Sequence, residues 1–91
     1  SIMSFSHKGM VREHASDETI MLDGFDDCII SVVESFHGRH IVYNQQKVIK
    51  KLMERDEMSY EDALEFYGYN IIGGYYGELG PMFDLKSYDL W

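Results

Sequence analysis

Three aspartates beside a turn are the first group of residues whose type and spacing could do chemistry. Asp23 opens the turn dipeptide Asp23-Gly24, and Asp26 and Asp27 follow shortly after it. Neighbouring carboxylates can bind a divalent cation or share a proton. Their spacing does not match an EF-hand loop, which needs a longer series of ligands and a terminal Glu. Turn chemistry alone favours Asp beside Gly. We therefore expect a turn here, and keep a metal-binding module or metal-dependent enzyme as the alternative.

His37, His40 and Cys28 are of the residue types that bind transition metals. Only the two histidines are close in sequence, and they flank a predicted hairpin loop that requires polar residues anyway. A zinc site would need four such ligands with recognisable spacing. Cys28 lies in an apolar run, where a free cysteine behaves as a small buried hydrophobic residue. The sequence thus predicts no metal site, no cofactor and no catalytic residue, and we expect a protein that is not an enzyme.

Half of the basic residues form one short stripe, at Lys47, Lys50, Lys51 and Arg55. Such a stripe can contact phosphates, but a solvated helix face produces the same pattern. The net charge of −8 favours the solvated face, because an acidic chain repels nucleic acid and anionic membranes. That charge suits solubility, a basic protein partner or mimicry of a polyanion.

Short β-strands are predicted to hold these residues. The apolar run at 19–22 indicates a first strand. Residues 28–36 give the strongest strand pattern, and their first half is apolar on both faces, which predicts a central strand. The loop at 37–39 then turns the chain into a returning strand at 40–43. Met82 and Phe83, which follow Pro81, are expected to add an edge strand.

Two helices are predicted between these strands. Asn44 is a suitable N-cap for a helix from 45 to 56 whose apolar residues share one face. Ser59 caps the second helix, and acids in its first turn suit the helix dipole. We expect this helix to reach about Gly77, with the paired glycines at 73–74 either allowing close packing on the sheet or ending it early. Its expected core stripe is Tyr60, Ala63, Leu64, Tyr67, Ile71 and Gly74.

The outer face of the second helix is the most informative candidate site. Tyr69, Ile72 and Tyr76 recur at helical spacing opposite the core stripe, Phe66 flanks them, and the preceding turns carry Glu61, Asp62 and Glu65. An N-terminal arm or C-terminal tail could cover this face. The functional alternative is an exposed aromatic patch rimmed by acids, which marks a protein interface. The predicted interface residues are Phe66, Tyr69, Ile72, Tyr76, Glu61 and Glu65.

Length and pattern together predict one α+β domain. A chain of 91 residues with 45% hydrophobic residues fits a single compact domain. We expect a small antiparallel sheet of three or four strands packed against two helices, in the order β-β-β-α-α-β. Residues 1–17 are predicted to be a flexible arm, 18–84 the domain and 85–91 a tail. The single cysteine excludes an internal disulfide and fits a reducing compartment. We expect no membrane span and no signal peptide.

Several segments also resemble one group of proteins. They are LDGFDDCII at 22–30, MSYEDALEF at 58–66, YNIIGGYYGE at 69–78 and PMF at 81–83. Their order and spacing resemble a widespread group of small uncharacterised proteins that are encoded largely by bacteriophages, over about residues 19–83. That group has no established activity, so the resemblance implies no site residues. It implies a phage-type accessory protein that acts in a bacterial cytoplasm.

The function predicted from sequence is therefore binding rather than catalysis. We expect a small acidic accessory protein that docks on a host or phage protein, with inhibition of a host defence or nucleic-acid-handling factor as the special case. A homodimer is the simplest version of the interface. A purely structural homo-oligomer is the remaining alternative beside the metal-binding module.

Overall fold

The computed structural model describes residues 19–74 and 76–87. The predicted arm at 1–17 and most of the predicted tail lie outside the described residues. In chain order the elements are β1 (Ile29–Ser35), β2 (Gly38–Asn44), α1 (Gln45–Arg55), α2 (Tyr60–Phe66) and β3 (Met82–Asp84). The predicted α+β fold, a small sheet of three or four strands packed against two helices, is confirmed with three strands.

The hairpin of β1 and β2 forms the larger part of the sheet. The two strands pair antiparallel, and the sheet order is β1-β2-β3. The predicted central position of the first strand of this hairpin is therefore wrong: β1 lies at an edge and β2 is central. A register irregularity between Ile29 and Ser31 places Ile29 opposite Tyr43, although the next pair is Ser31 with Val42. This bulge brings Ile29 into the core, which explains why the start of β1 looked apolar on both faces.

The edge strand β3 pairs with β2 in parallel. The sheet is therefore mixed, and the prediction of a purely antiparallel sheet is wrong for this strand. The predicted first strand at 19–22 is not a strand in the structure. Both sides of β2 are already taken by β1 and β3, which leaves no position beside it. The segment is held in other ways: the Leu22 amide donates to the Tyr43 hydroxyl at 2.6 Å, and the Ile20 amide donates to the Leu79 carbonyl at 3.1 Å.

Asn44 joins β2, α1 and β3 through one buried side chain. Its carbonyl oxygen accepts the Lys47 amide at 3.0 Å, which is the predicted N-cap of α1. Its amide group donates to the Lys86 carbonyl at 2.9 Å. Because Asn44 is fully buried, these bonds satisfy groups that would otherwise be desolvated without partners. The cap visible in the sequence therefore also fixes the chain that follows β3.

The second helix changes winding half-way along. Ser59 caps α2 as predicted, accepting the Asp62 amide at 3.1 Å. A π-helical segment, Tyr67–Ile72, continues α2 and stops before Gly73. The predicted end near Gly77 is thus wrong, and the paired glycines end the helix early. A Cβ on Gly73 would lie 2.8 Å from the Tyr69 carbonyl oxygen, so only glycine fits this exit.

The helix buries a narrower stripe than its sequence indicates. Ala63, Tyr67 and Ile71 are buried, whereas Tyr60 and Leu64 of the predicted core stripe remain 52% and 39% exposed. In an α-helix, residues four apart drift by about 40° around the axis. The wider π turn reduces this drift, so the three buried residues stay in line against the sheet.

One core holds the described elements together. Tyr43, Ile41, Val48 and Leu52 are completely or almost completely buried between the sheet and α1. The ring of Phe83 on β3 stacks on Tyr43 and meets Tyr67 edge-on. This anchors both β3 and the start of the π-helical segment. Within the described ranges no helix is long and apolar enough to cross a membrane.

Candidate protein-binding surface

The aspartates near the turn are engaged by the protein itself. Asp26 and Asp27 open a short 3-10 turn before β1, and the Asp27 carboxylate lies 2.7 Å from the Lys51 ammonium. Burial acts to raise the pKa of Asp27, but the hydrogen bond and charge of Lys51 outweigh it, so the pKa lies below its ordinary value of 3.8. Within residues 19–74 and 76–87, no three His, Cys, Asp or Glu residues are grouped as metal ligands. No arrangement seen there favours the metal-binding alternative.

Cys28 has the environment of a core residue. It is 2% exposed, and burial together with the adjacent Asp27 charge raises the pKa of its thiol to about 12. A nucleophilic cysteine needs the thiolate, which is reached only when the pKa is low and the sulfur is accessible. Neither condition holds at this position.

The two histidines of the hairpin point to different partners. The buried His40 ring lies with Nδ1 2.9 Å from the Gly80 carbonyl oxygen and Nε2 2.6 Å from the Ser35 hydroxyl. A carbonyl only accepts, so Nδ1 carries a proton and ties β2 to the loop before β3. The exposed His37 lies 3.4 Å from Glu78 instead. The structure does not bring the histidines together on one ligand.

The contact between Ser35 and His40 has the distance of a nucleophile and its base, but its setting differs. The Ser35 hydroxyl also accepts the His37 amide at 3.2 Å and lies 3.4 Å from the Gly38 carbonyl. His40 lines a cavity of about 370 Å³ beside β3, whereas Ser35 does not. The Ser35 hydroxyl is thus held by the turn and is not among the groups that face the cavity. We therefore assign the pair to holding the hairpin turn.

The basic stripe on α1 is neutralised locally. Lys50 pairs with Glu54 at 3.4 Å, Lys51 pairs with Asp27, and Arg55 forms a two-pronged pair with Asp56. Arg55 also lies over the Phe25 ring, 4.9 Å from its centre. These pairings favour a solvated helix face over a phosphate-binding one.

The outer face of the second helix is exposed along its length. Tyr69 is 78% exposed, Ile72 51% and Phe66 36%. Glu61 and Glu65 are exposed as well. With Tyr69 at its centre, this set forms what we call the outer patch: Phe66, Tyr69, Ile72, Glu61 and Glu65. Five of the six predicted interface residues therefore share one helix.

A shallow groove runs along one side of the outer patch. It has a volume of about 290 Å³, and Phe66 and Tyr69 form its apolar wall. Asp62 and Glu65 line it beside Met58 and Asn70. The groove thus combines a hydrophobic wall with two carboxylates. This composition suits an apolar side chain that carries a positive charge or has one beside it.

Tyr76 lies outside the outer patch. The helix ends at Ile72, so the predicted helical position of Tyr76 is wrong, and the residue lies in the loop before β3. There its ring covers Gly74 and its Cβ approaches Gly80, where an added Cβ would lie only 2.6 Å away. Tyr76 lines the same cavity as His40, together with Ile72 and Met82. Its role in the described structure is to shape this loop.

Sequence reasoning missed a strong charge segregation. Residues 56–85 contain no Lys, Arg or His, and they carry seven acids. These are Asp56, Glu57, Glu61, Asp62, Glu65, Glu78 and Asp84. Counting bases along the chain would have found this segment. Its consequence in three dimensions is that the rim of the outer patch has no positive charge from its own segment.

Similarity to other proteins does not add to this description. No protein-family model, no curated protein and no solved structure matches the chain. The likeness to phage-encoded proteins therefore stays a prediction.

Proposed function

We propose that this protein acts by binding a basic protein partner through the outer patch. The observation that carries the proposal is the coexistence, on one helical segment, of three exposed apolar residues and acids that their own segment does not neutralise. Exposed apolar surface rimmed by charge is typical of protein interfaces, and tyrosine is enriched at their centres.

The sign of the charge selects among partners. A nucleic acid or an anionic membrane would be repelled by Glu61, Asp62 and Glu65. A second copy of this chain would bring the same acids face to face, because a two-fold interface joins identical patches. A protein with Lys or Arg around an apolar centre meets neither obstacle. The charge of the outer patch therefore favours a different protein as partner over the homodimer and the structural homo-oligomer.

The biological setting is part of the same proposal. With the phage resemblance, we propose an accessory protein without enzymatic activity that works in the cytoplasm of a bacterial host. A chain of net charge −8 can cover a positively charged channel of a defence or nucleic-acid-handling factor and thereby inhibit it.

An affinity capture from bacterial lysate tests this function with a matched control. The bait variants are Tyr69→Asp with Ile72→Asp, which place charge at the centre of the outer patch, and Phe36→Asp. Phe36 is 99% exposed at the tip of the hairpin, so its replacement alters a comparable aromatic away from the patch. We expect a basic protein that is retained by the wild type and by Phe36→Asp, and lost with the double variant.

Two further results complete the test. Retention should weaken as salt is raised from about 50 to 300 mM, because the charged rim is screened. Light scattering across concentrations should give a monomer. Equal capture by the double variant and the wild type would contradict the proposal. A stable wild-type dimer that dissociates in the double variant would also contradict it, since the outer patch would then be a self-association interface.

A further inference from the structure

Gly68 is a glycine that the protein's own structure does not require. Of the seven glycines in residues 19–74 and 76–87, three have positive φ and three others would place a Cβ within 3 Å of a neighbouring atom. Gly68 has neither property: apart from the backbone of its own helix, no atom of the described residues would lie within 4 Å of an added Cβ. Glycine destabilises a helix relative to alanine. Within the described part of the chain, the missing side chain is therefore a cost to the helix that no packing contact requires.

Gly68 also lies within an exposed apolar row. Leu64, Gly68 and Ile72 follow one another at intervals of four residues, which places them on neighbouring turns of the same side of the helix. Leu64 is 39% exposed and Ile72 51% exposed. The row thus has two apolar side chains with a gap between them, and Tyr69 stands beside the gap. We call this gap the Gly68 notch.

We propose that a helix of the basic partner packs across the second helix and inserts an apolar side chain into the Gly68 notch. This inference rests on the proposed function and specifies how the partner binds. Helices pack by placing the ridge of one into the groove of the other, and a glycine in a ridge allows the partner to come closer. The carboxylates of Glu61 and Glu65 lie on the turns before the notch, so the partner helix carries Lys or Arg beside its apolar stripe.

The occupant is a different protein and not a second copy. Two copies crossing at Gly68 would bring Glu61 and Glu65 of one helix near those of the other, with no base in residues 56–85 to separate them. A partner helix with lysines on both sides of a leucine stripe replaces this repulsion with attraction. Charge complementarity thus favours a basic partner helix, and the Gly68 notch determines where a side chain of that helix docks.

Two synthetic peptides serve as probes of the notch. The first is a helical peptide of about 18 residues, a length at which isolated helices form, with a leucine stripe flanked by lysines. The second has the same stripe flanked by glutamates. Titrations of isotope-labelled protein, followed by nuclear magnetic resonance, should show binding of the lysine peptide alone, with the largest shifts at Leu64, Gly68 and Ile72.

Filling the notch then separates packing from charge attraction. Gly68→Leu keeps every charge and should lower the affinity for the lysine peptide by about tenfold or more, because the leucine side chain occupies the docking space. Gly68→Ala should weaken it less and raise the unfolding midpoint by about 4 °C. This midpoint shows that the loss of binding does not come from unfolding. Phe36→Leu, a replacement at the exposed hairpin tip, should leave peptide affinity unchanged.

Each outcome decides the inference. If the wild type and Gly68→Leu bind the lysine peptide with equal affinity, the Gly68 notch is not the docking site, since charge alone then explains binding. Absence of wild-type binding to the lysine peptide, or equal binding of the glutamate peptide, overturns the chemistry assigned to the partner helix. The proposed function fails separately, when Tyr69→Asp with Ile72→Asp still captures the same lysate proteins as the wild type.

Discussion

The hairpin with α1 and the segment that follows them use charge in opposite ways. Residues 19–55 carry five acids and five Lys or Arg residues, and several of these charges pair, as in Lys51 with Asp27 and Lys50 with Glu54. Residues 56–85 carry seven acids and no base. The charges of the first region balance. In the second, Asp56 and Glu78 lie beside Arg55 and His37 of the first region, and the other five acids have no base in their own segment.

The same two regions also differ in how they bury apolar side chains. Strand β2 and helix α1 bury Ile41, Tyr43, Val48 and Leu52 almost completely. The second helix buries one stripe and leaves Leu64, Phe66, Tyr69 and Ile72 at least one-third exposed. We therefore expect the first region to contribute most of the free energy of unfolding. The second region contributes one face to the core and presents the other to solvent.

The largest expected effect comes from replacing one leucine of the first region with alanine, compared with the same replacement in the second region. Leu52→Ala should lower the free energy of unfolding by about 3 kcal/mol, because a fully buried side chain leaves a cavity. Leu64→Ala should cost less than about 1 kcal/mol, since its side chain is partly solvated already. Urea unfolding of both variants measures the difference. Equal losses would mean that the second helix is as much a part of the core as α1.

The two helix caps provide the next comparison. Asn44→Ala removes a buried cap and the donor to the Lys86 carbonyl, and should cost about 2 kcal/mol. Ser59→Ala removes only an exposed cap and should cost about 1 kcal/mol. Chemical unfolding at neutral pH compares them. A larger loss for Ser59→Ala would contradict the assignment of the stable core to the first region.

Alkaline pH should weaken the first region through two buried groups. Burial raises the pKa of Tyr43 from 10.0 to about 12 and that of Cys28 from 9.0 to about 12. Both groups therefore lose protons in the unfolded chain first, so their contribution is complete below pH 9 and falls as the pH rises toward 12. Tyr43→Phe should cost about 1 kcal/mol at pH 7 through the lost bond to Leu22.

The slope of stability against pH is the readout of that prediction. Urea unfolding of the wild type at pH 8, 9.5 and 10.5 should show a decline that is smaller in Tyr43→Phe and in Cys28→Ala. The exposed Phe36 supplies the control, because Phe36→Leu changes no titratable group and should leave the slope unchanged. Parallel slopes in all four proteins would rule out the two buried groups as its cause.

The smallest expected effects concern surface charge. Lys51→Gln should lower the free energy of unfolding by about 0.5 kcal/mol, because it removes the partly exposed pair with Asp27. Glu61→Gln with Glu65→Gln removes two exposed acids of the second helix and should leave stability unchanged within about 0.5 kcal/mol. Unfolding at low and high salt checks both. A clear loss in the double variant would show that these acids serve the fold.

Much of the fold could be predicted because its signals are local. The caps at Asn44 and Ser59 and the apolar periodicity of α1 depend on residues a few positions apart, and the structure confirms them. The hairpin follows in the same way from the turn between two β-rich runs. For the candidate site, the periodicity of one helix predicted that Phe66, Tyr69 and Ile72 lie away from the core stripe, but it left open whether the arm or the tail covers them.

Other features could not be predicted because they depend on residues far apart in the chain. The strand β3 adds to β2 in parallel and makes β2 central, which no local pattern reveals. The π turn aligns Ala63, Tyr67 and Ile71, and thereby leaves Leu64 exposed. The early helix end at Gly73 moves Tyr76 from the predicted patch to the loop beside Gly80.

The sequence by itself therefore determined the α+β class, the starts of both helices and the acidity of the second one. Local hydrogen bonding, periodicity and charge are sufficient for these. Only the tertiary structure decided which apolar residues stay in solvent, since burial depends on which surfaces meet. It also distinguished Gly68 from the other glycines, because a gap in a surface is defined by the atoms that do not surround it.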